Sequence, residues 1–440
     1  MRNYHFHFTL KRLTASLSIS ILALLFYGCP DRNFPNPNSA SEETASIQSI
    51  VTGTEGSMRT ALSFYIYGTS IIGREAYYFG GDDPRFMSEY KGGALDAGGP
   101  FVGNTWNARY TAIANARILL NRAAQEPASR AGQRAGLEGF AKTVIAYQLL
   151  LNLNLTNENG IKIGYSPDPA AFPFVSKAEG FAEINRLLDE ALTALTSEGA
   201  AFDFRLSGGF TGFNTPATFA RFNRALRARV AAYQADYTTC LTALQNSFLT
   251  ETNTAADMQI GVFHVYSTAA GDLLNPVFEP AATATRFFAQ RDFFSQNQDT
   301  ASDARLSKVF RRDPAVSNYG VNSNHAVSLY ASNTAPVAMI RNEELLLLRA
   351  EARIRTGNLT GALEDLNRVR QAAGVADYTS IADEADGLSK LLYERRYSLF
   401  CEGHRWIDMR RFNRLGELPI ERTGDVVAVN FPRPLSEIPQ

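Results

Sequence analysis

From Ile47 onward the apolar positions of the chain recur mostly at helical spacing. Phe181, Ile184, Leu187, Leu188, Ala191, Leu192 and Leu195 return every three or four residues, which stacks them on one face of a helix. No comparable stretch of strict alternation stands out, so the pattern predicts an all-α fold. The 22 residues from Leu391 to Phe412 are expected to form one helix with Arg395, Leu399, Glu402 and Trp406 on one face. On that reading Glu402, Arg405, Asp408 and Arg411 follow at three-residue steps with alternating sign, a ladder that supports a helix rather than a catalytic centre.

Two segments share a longer pattern. Ala228, Tyr237, Cys240 and Leu244 are spaced like Ala350, Leu359, Ala362 and Leu366, with offsets of 9, 12 and 16 in both. Each predicts a helix, a short turn (Gln234 to Tyr237, Thr356 to Leu359) and a second helix, with small residues where helices touch, which is the tetratricopeptide pattern. Cys240 stands at such a contact and is expected to be buried and unreactive. The copies lie 122 residues apart. The expected architecture is therefore a tetratricopeptide-like helical repeat scaffold with long loop insertions near 64–105 and 251–335, in a single domain over 47–440.

Composition narrows the function. The 440 residues are 45% hydrophobic and carry 43 Lys and Arg against 44 Asp and Glu, so the chain is globular and its overall charge favours neither nucleic acid nor an anionic surface. Lys11 and Arg12 precede an apolar run of fifteen residues, Leu13 to Tyr27, too short to span a bilayer and suited to a signal segment over 1–28. Gly28-Cys29 follows the run, and Leu24 to Cys29 resembles a bacterial lipobox. Lipidated Cys29 and a proline-containing tether over 29–46 would then anchor the body without a membrane span. Past that point only Cys240, Cys401, His264, His325 and His404 remain as soft ligands, with no Cys-x-x-Cys pair. No metal, cofactor or catalytic residue is expected.

Several blocks carry a family resemblance. "WNARYTAIANARILLNR", "SDARL", "PVAMIRNEELLLLRAEARIRTGN", "LLYERRYSLFCEGHRWIDMRRF" and "NFPRPLSEI" resemble, in order, elements of the SusD/RagB outer-membrane nutrient-binding lipoproteins. That resemblance implies a protein lipid-anchored at the cell outer membrane that binds oligosaccharides, or in some members peptides, and hands them to a SusC-like TonB-dependent transporter without cleaving them. A tetratricopeptide-type adaptor and a glycoside hydrolase are the alternatives. A hydrolase would need two carboxylates facing each other across a cleft.

Sugar recognition asks for flat aromatic faces beside a few polar groups. Between Phe64 and Tyr110, 11 of 47 residues are aromatic and nine are glycine. Arg74, Tyr77, Tyr78 and Asp82 are the candidate ligand-binding residues there. In an extended segment Tyr77 and Tyr78 should point opposite ways, one toward a ligand and one inward. The second aromatic cluster, Arg286 to Asn297, is phenylalanine-rich and expected in the core. Asn318 to His325 is a second polar segment to consider.

Overall fold

The computed structural model describes residues 45–166, 168, 170–280, 286–299 and 302–438. The signal segment, Cys29 and the tether as far as Thr44 lie outside them. Helices α1 (Ile47–Met58), α2 (Leu62–Ile72), α3 (Pro100–Gln125), α4 (Ala131–Thr156), α5 (Lys177–Leu195), α6 (Pro216–Tyr233) and α7 (Tyr237–Gln245) form the first part of the scaffold. From α3 to α7 each packs on the next. Local sequence sets their starts: Ser176 and Glu179 form a reciprocal cap on α5, and Thr215 caps α6 with Pro216 in its first turn. The stripe read on α5 is buried as expected at Phe181, Ile184, Leu187, Leu188, Ala191 and Leu195.

Beyond the short α8 (Ala255–Met258), the scaffold continues in α9 (Asn342–Arg355), α10 (Leu359–Ala372), α11 (Glu384–Ser398) and α12 (Arg405–Arg411). The pairs α6–α7 and α9–α10 are the two repeats. Their turns are built alike. Ala235 (φ 58°) and Gly357 (φ 81°) take the left-handed conformation, and the next residues, Asp236 and Asn358, accept the amides of Thr239 and Gly361 at the helix start. Ala228, Cys240, Ala350, Ala362 and Leu366 are fully buried. Cys240 Sγ lies 4.0 Å from the Leu348 carbonyl, and burial pushes its thiol pKa up, so it fills a helix contact as a small apolar residue. Leu346, Leu347, Ile354, Leu391 and Leu399 join the repeat residues in one core cluster.

The insertions hold strands that periodicity did not show. Strands β1 (Ala76–Tyr78), β3 (Phe287–Ala289), β5 (Val321–Val327) and β4 (Val309–Asn318) pair in that order as an antiparallel sheet, and β2 (Gly261–His264) pairs with β6 (Val337–Arg341). Every residue of β1 and β3 is buried, so neither can alternate apolar with polar. Phe287, Phe288 and Phe293 are core residues, as expected of that cluster. The scaffold remains a helical repeat array with these sheets carried in its loops.

The C-terminal motif departs from its expected form. Leu391 to Phe412 is not one helix: α11 ends at Ser398 and α12 starts at Arg405, with Cys401 (φ 54°) and Gly403 (φ 91°) turning the chain between them. The ladder is consequently re-sorted. Glu402 pairs with Arg341, and Asp408 is shared by Arg395 (2.7 Å) and Arg411 (3.0 Å) rather than by Arg405 and Arg411. Arg411 continues to buried Glu351 on α9. The motif clamps the C-terminal helices onto the repeats, so its structural reading stands.

Candidate ligand-binding site

The candidate residues of the first insertion are brought together, but three of the four are covered. Arg74 follows α2 in the left-handed conformation (φ 55°) and donates to the carbonyls of Ile71 (3.2 Å), Lys91 (2.9 Å) and Val426 (3.2 Å). Tyr77 and Tyr78 sit on β1 and do point to opposite sides. Tyr77 stacks on Phe79, lies 5.2 Å from Lys91 Nζ and donates to Glu421 Oε1 at 2.5 Å. The Tyr78 ring packs 4.1 Å from Phe86, and its hydroxyl donates to Asp82 at 2.9 Å. Neither ring shows the open face expected of one of them: Tyr77 is 1% and Tyr78 2% exposed. The physical reason is that both sides of β1 are covered. The π-helical turn Phe86–Lys91 brings Phe86 onto Tyr78, while Glu421 from the C-terminal strap reaches Tyr77.

Asp82 is the outward member of the set. Its side chain is 55% exposed and stands 3.5 Å from Arg286, which lies over the Tyr78 ring and also meets buried Glu279. Beneath, Lys91 Nζ contacts Glu421 at 2.6 Å and Asp425 at 3.8 Å, so burial, which lowers the ammonium pKa, is opposed by two carboxylates. Arg74, Tyr77 and Tyr78 therefore hold the loop that presents Asp82 and Arg286. Asn318 belongs to the same neighbourhood, its amide donating to the Phe79 carbonyl at 3.4 Å.

Open aromatic faces occur elsewhere. Among the described residues, the large aromatic side chains that stand exposed are Tyr165 (44%) and Phe172 (37%). Both belong to the connection between α4 and α5 and line a cleft of about 180 Å³ with Asn107 and Thr111 of α3, Lys162 and Glu437. The Phe172 ring lies directly on Gly164, where a Cβ would come within 2.0 Å of it. Tyr110 closes the floor, its hydroxyl donating to the Lys162 carbonyl at 2.5 Å and accepting the Lys162 amide at 2.9 Å. Lys162 Nζ meets Glu437 at 2.7 Å. Two open rings beside a charged pair, an amide and a hydroxyl suit a ligand with both C–H faces and hydroxyls. The signal for this cleft is "GYSPDPAAFPF", a glycine- and aromatic-containing stretch that composition marks far less strongly than the longer first insertion.

No group of three or more His, Cys, Asp or Glu comes together as a metal site among the described residues, and no helix among them is long and apolar enough to cross a membrane.

Residues 296–435 match the SusD family. A SusD-like protein of Formosa agariphila, P38, is 28% identical over 141 residues; the match spans 28% of each chain. Among solved structures, a SusD superfamily protein from Bacteroides thetaiotaomicron superposes with a TM-score of 0.67 at 18% identity, covering 89% of this chain and 97% of that one. A laminarin-binding SusD-like protein gives 0.64 at 15% identity, covering 88% and 96%.

Proposed function

Because the chain belongs to the SusD/RagB family, by sequence over 296–435 and by fold over most of its length, we propose that it captures oligosaccharides at the cell outer membrane. It would hold them without cleaving them and pass them to a SusC-like TonB-dependent transporter. Its body would be tethered by lipidated Cys29. The observation that carries the glycan reading is the Tyr165–Phe172 pair, two open rings beside polar groups. The laminarin-binding protein of the same fold supports it. Asp82 and Arg286 are proposed as a second, polar contact, positioned by Arg74, Tyr77 and Tyr78.

A panel of neutral oligosaccharides, titrated calorimetrically and then inspected for products, tests the reading. Saturable binding with intact ligand is expected. Tyr165→Ala should weaken affinity by about 0.5 to 1.5 kcal/mol, the scale of one lost stacking face, and Asp82→Asn should weaken it less, since Asp82 is half open to solvent. Product release would replace the reading with a hydrolase. Unaltered affinity in both variants would move the site off both surfaces.

A further inference from the structure

The cleft at Tyr165 and Phe172 has a charge balance as well as two open rings. Its charged lining residues are Lys162, Asp168 and Glu437, one ammonium against two carboxylates. The ammonium is committed: Lys162 Nζ meets Glu437 at 2.7 Å and lies 5.4 Å from the centre of the Phe174 ring. Its side chain is 6% exposed against 23% for Glu437, so the pair shows the cleft its acid more than its base.

Asp168 has no such counter-ion. It is exposed on the connection between α4 and α5, so a ligand can reach it. Its amide donates to Ser166 Oγ (3.1 Å), its carbonyl accepts the Ala171 amide (3.2 Å) and its Oδ1 accepts the Ala170 amide (2.9 Å). These bonds hold the carboxylate at the cleft, and Oδ2 takes no partner among the described residues. Two arginines stand close by without lining the cleft. Arg117 donates to the Ile163 carbonyl (2.8 Å), and Arg433 donates to the Asn159 carbonyl (2.7 Å) with its guanidinium over the Phe174 ring. An open aromatic face attracts a cation through its negative π-surface, whereas an anion gains nothing there and is repelled by both carboxylates.

From this geometry we infer that the cleft selects amino-bearing sugars, the protonated amine seated on Asp168 beside the open rings while hydroxyls of the same unit meet Asn107, Thr111 and Ser166. The inference rests on the reading of this cleft as a glycan site and adds the charge of the unit it takes. The amide and hydroxyl groups of the lining favour a sugar amine over a lysine side chain, which has no hydroxyls to answer them.

Calorimetry near pH 6, where a sugar amine carries its proton, compares a glucosamine disaccharide, its N-acetylated form, a glucuronate-containing disaccharide and trilysine. The amino form should bind about fivefold tighter than the acetylated one, the scale of an exposed ion pair, and the glucuronate sugar should bind most weakly. Added salt should narrow the preference. Asp168→Asn, whose amide oxygen can still accept the Ala170 amide, should bring the amino and acetylated forms to within about twofold of each other, as loss of that ion pair requires. Tyr165→Ala should weaken both forms. An amino form no tighter than the acetylated one, a preference that survives Asp168→Asn, or trilysine bound as tightly as the amino disaccharide overturns the inference and leaves the glycan reading standing. Failure of every sugar to bind, the neutral panel included, overturns both.

Discussion

Glu75 is the residue whose environment sets the clearest pH dependence. It is 2% exposed, and burial pushes its pKa up to about 8, against the pull of Arg405 and of the Cys401 amide. The unfolded chain releases this proton near pH 4.5, whereas the folded protein keeps it to about 8. Between those values the folded state binds more protons, so this group makes stability fall as pH rises, by at most about 1.4 kcal/mol per pH unit. Glu75→Gln should flatten that decline, and melting curves of variant and parent from pH 5 to 8 check it; parallel curves would refute it. Asp408 behaves in the opposite sense. Burial pushes its carboxyl up, but Arg395 and Arg411 outweigh burial and hold it below the usual range. Asp408→Ala leaves two buried guanidinium groups without their shared acid and should cost about 3 to 5 kcal/mol, read from denaturant midpoints.

At the scale of elements, what could be read from sequence was decided by burial geometry. The α5 stripe and the two repeats were legible because a helix buried on one side repeats its apolar positions, and small residues mark the contacts. β1 and β3 were not, because three residues covered on both faces leave no alternation to detect. The same fact explains the ligand candidates: the aromatic richness of Phe64 to Tyr110 was real, but its rings pack on one another, and composition does not distinguish a packed ring from an open one. The α11–α12 break was legible only at Gly403, since Cys401 gives no sign of a left-handed backbone. Gly403→Ala puts a side chain at φ 91°, with its Cβ 2.8 Å from the Tyr65 ring. That should cost roughly 1 to 3 kcal/mol and leave neutral-glycan affinity unaffected, since Gly403 lies in neither proposed glycan surface. A melting temperature equal to the parent's would mean the turn is not held in this form.

The whole body is tied together by its C-terminal strap. Trp406 Nε1 donates to the Ala428 carbonyl at 2.7 Å, the Phe431 amide to Leu155 of α4 at 2.8 Å, and Arg422 to the Met87 carbonyl at 2.8 Å. Residues distant in sequence thus close over the early helices and over β1, and Ile47–Gln440 forms one compact unit whose stabilising contacts described here all lie within it. Cys29 lies outside that unit, so anchoring and folding should separate cleanly. Cys29→Ala is expected to leave the melting temperature and neutral-glycan affinity unchanged while shifting the protein from the membrane fraction to the soluble one, because loss of the acyl chains removes the proposed hold on the bilayer. Fractionation, detection of the lipid by mass spectrometry, and calorimetry on the same preparation test the three parts together. A variant that stays with the membrane as fully as the parent would place the anchor elsewhere, and one that loses sugar binding would show that the segment around Cys29 serves the site as well as the membrane.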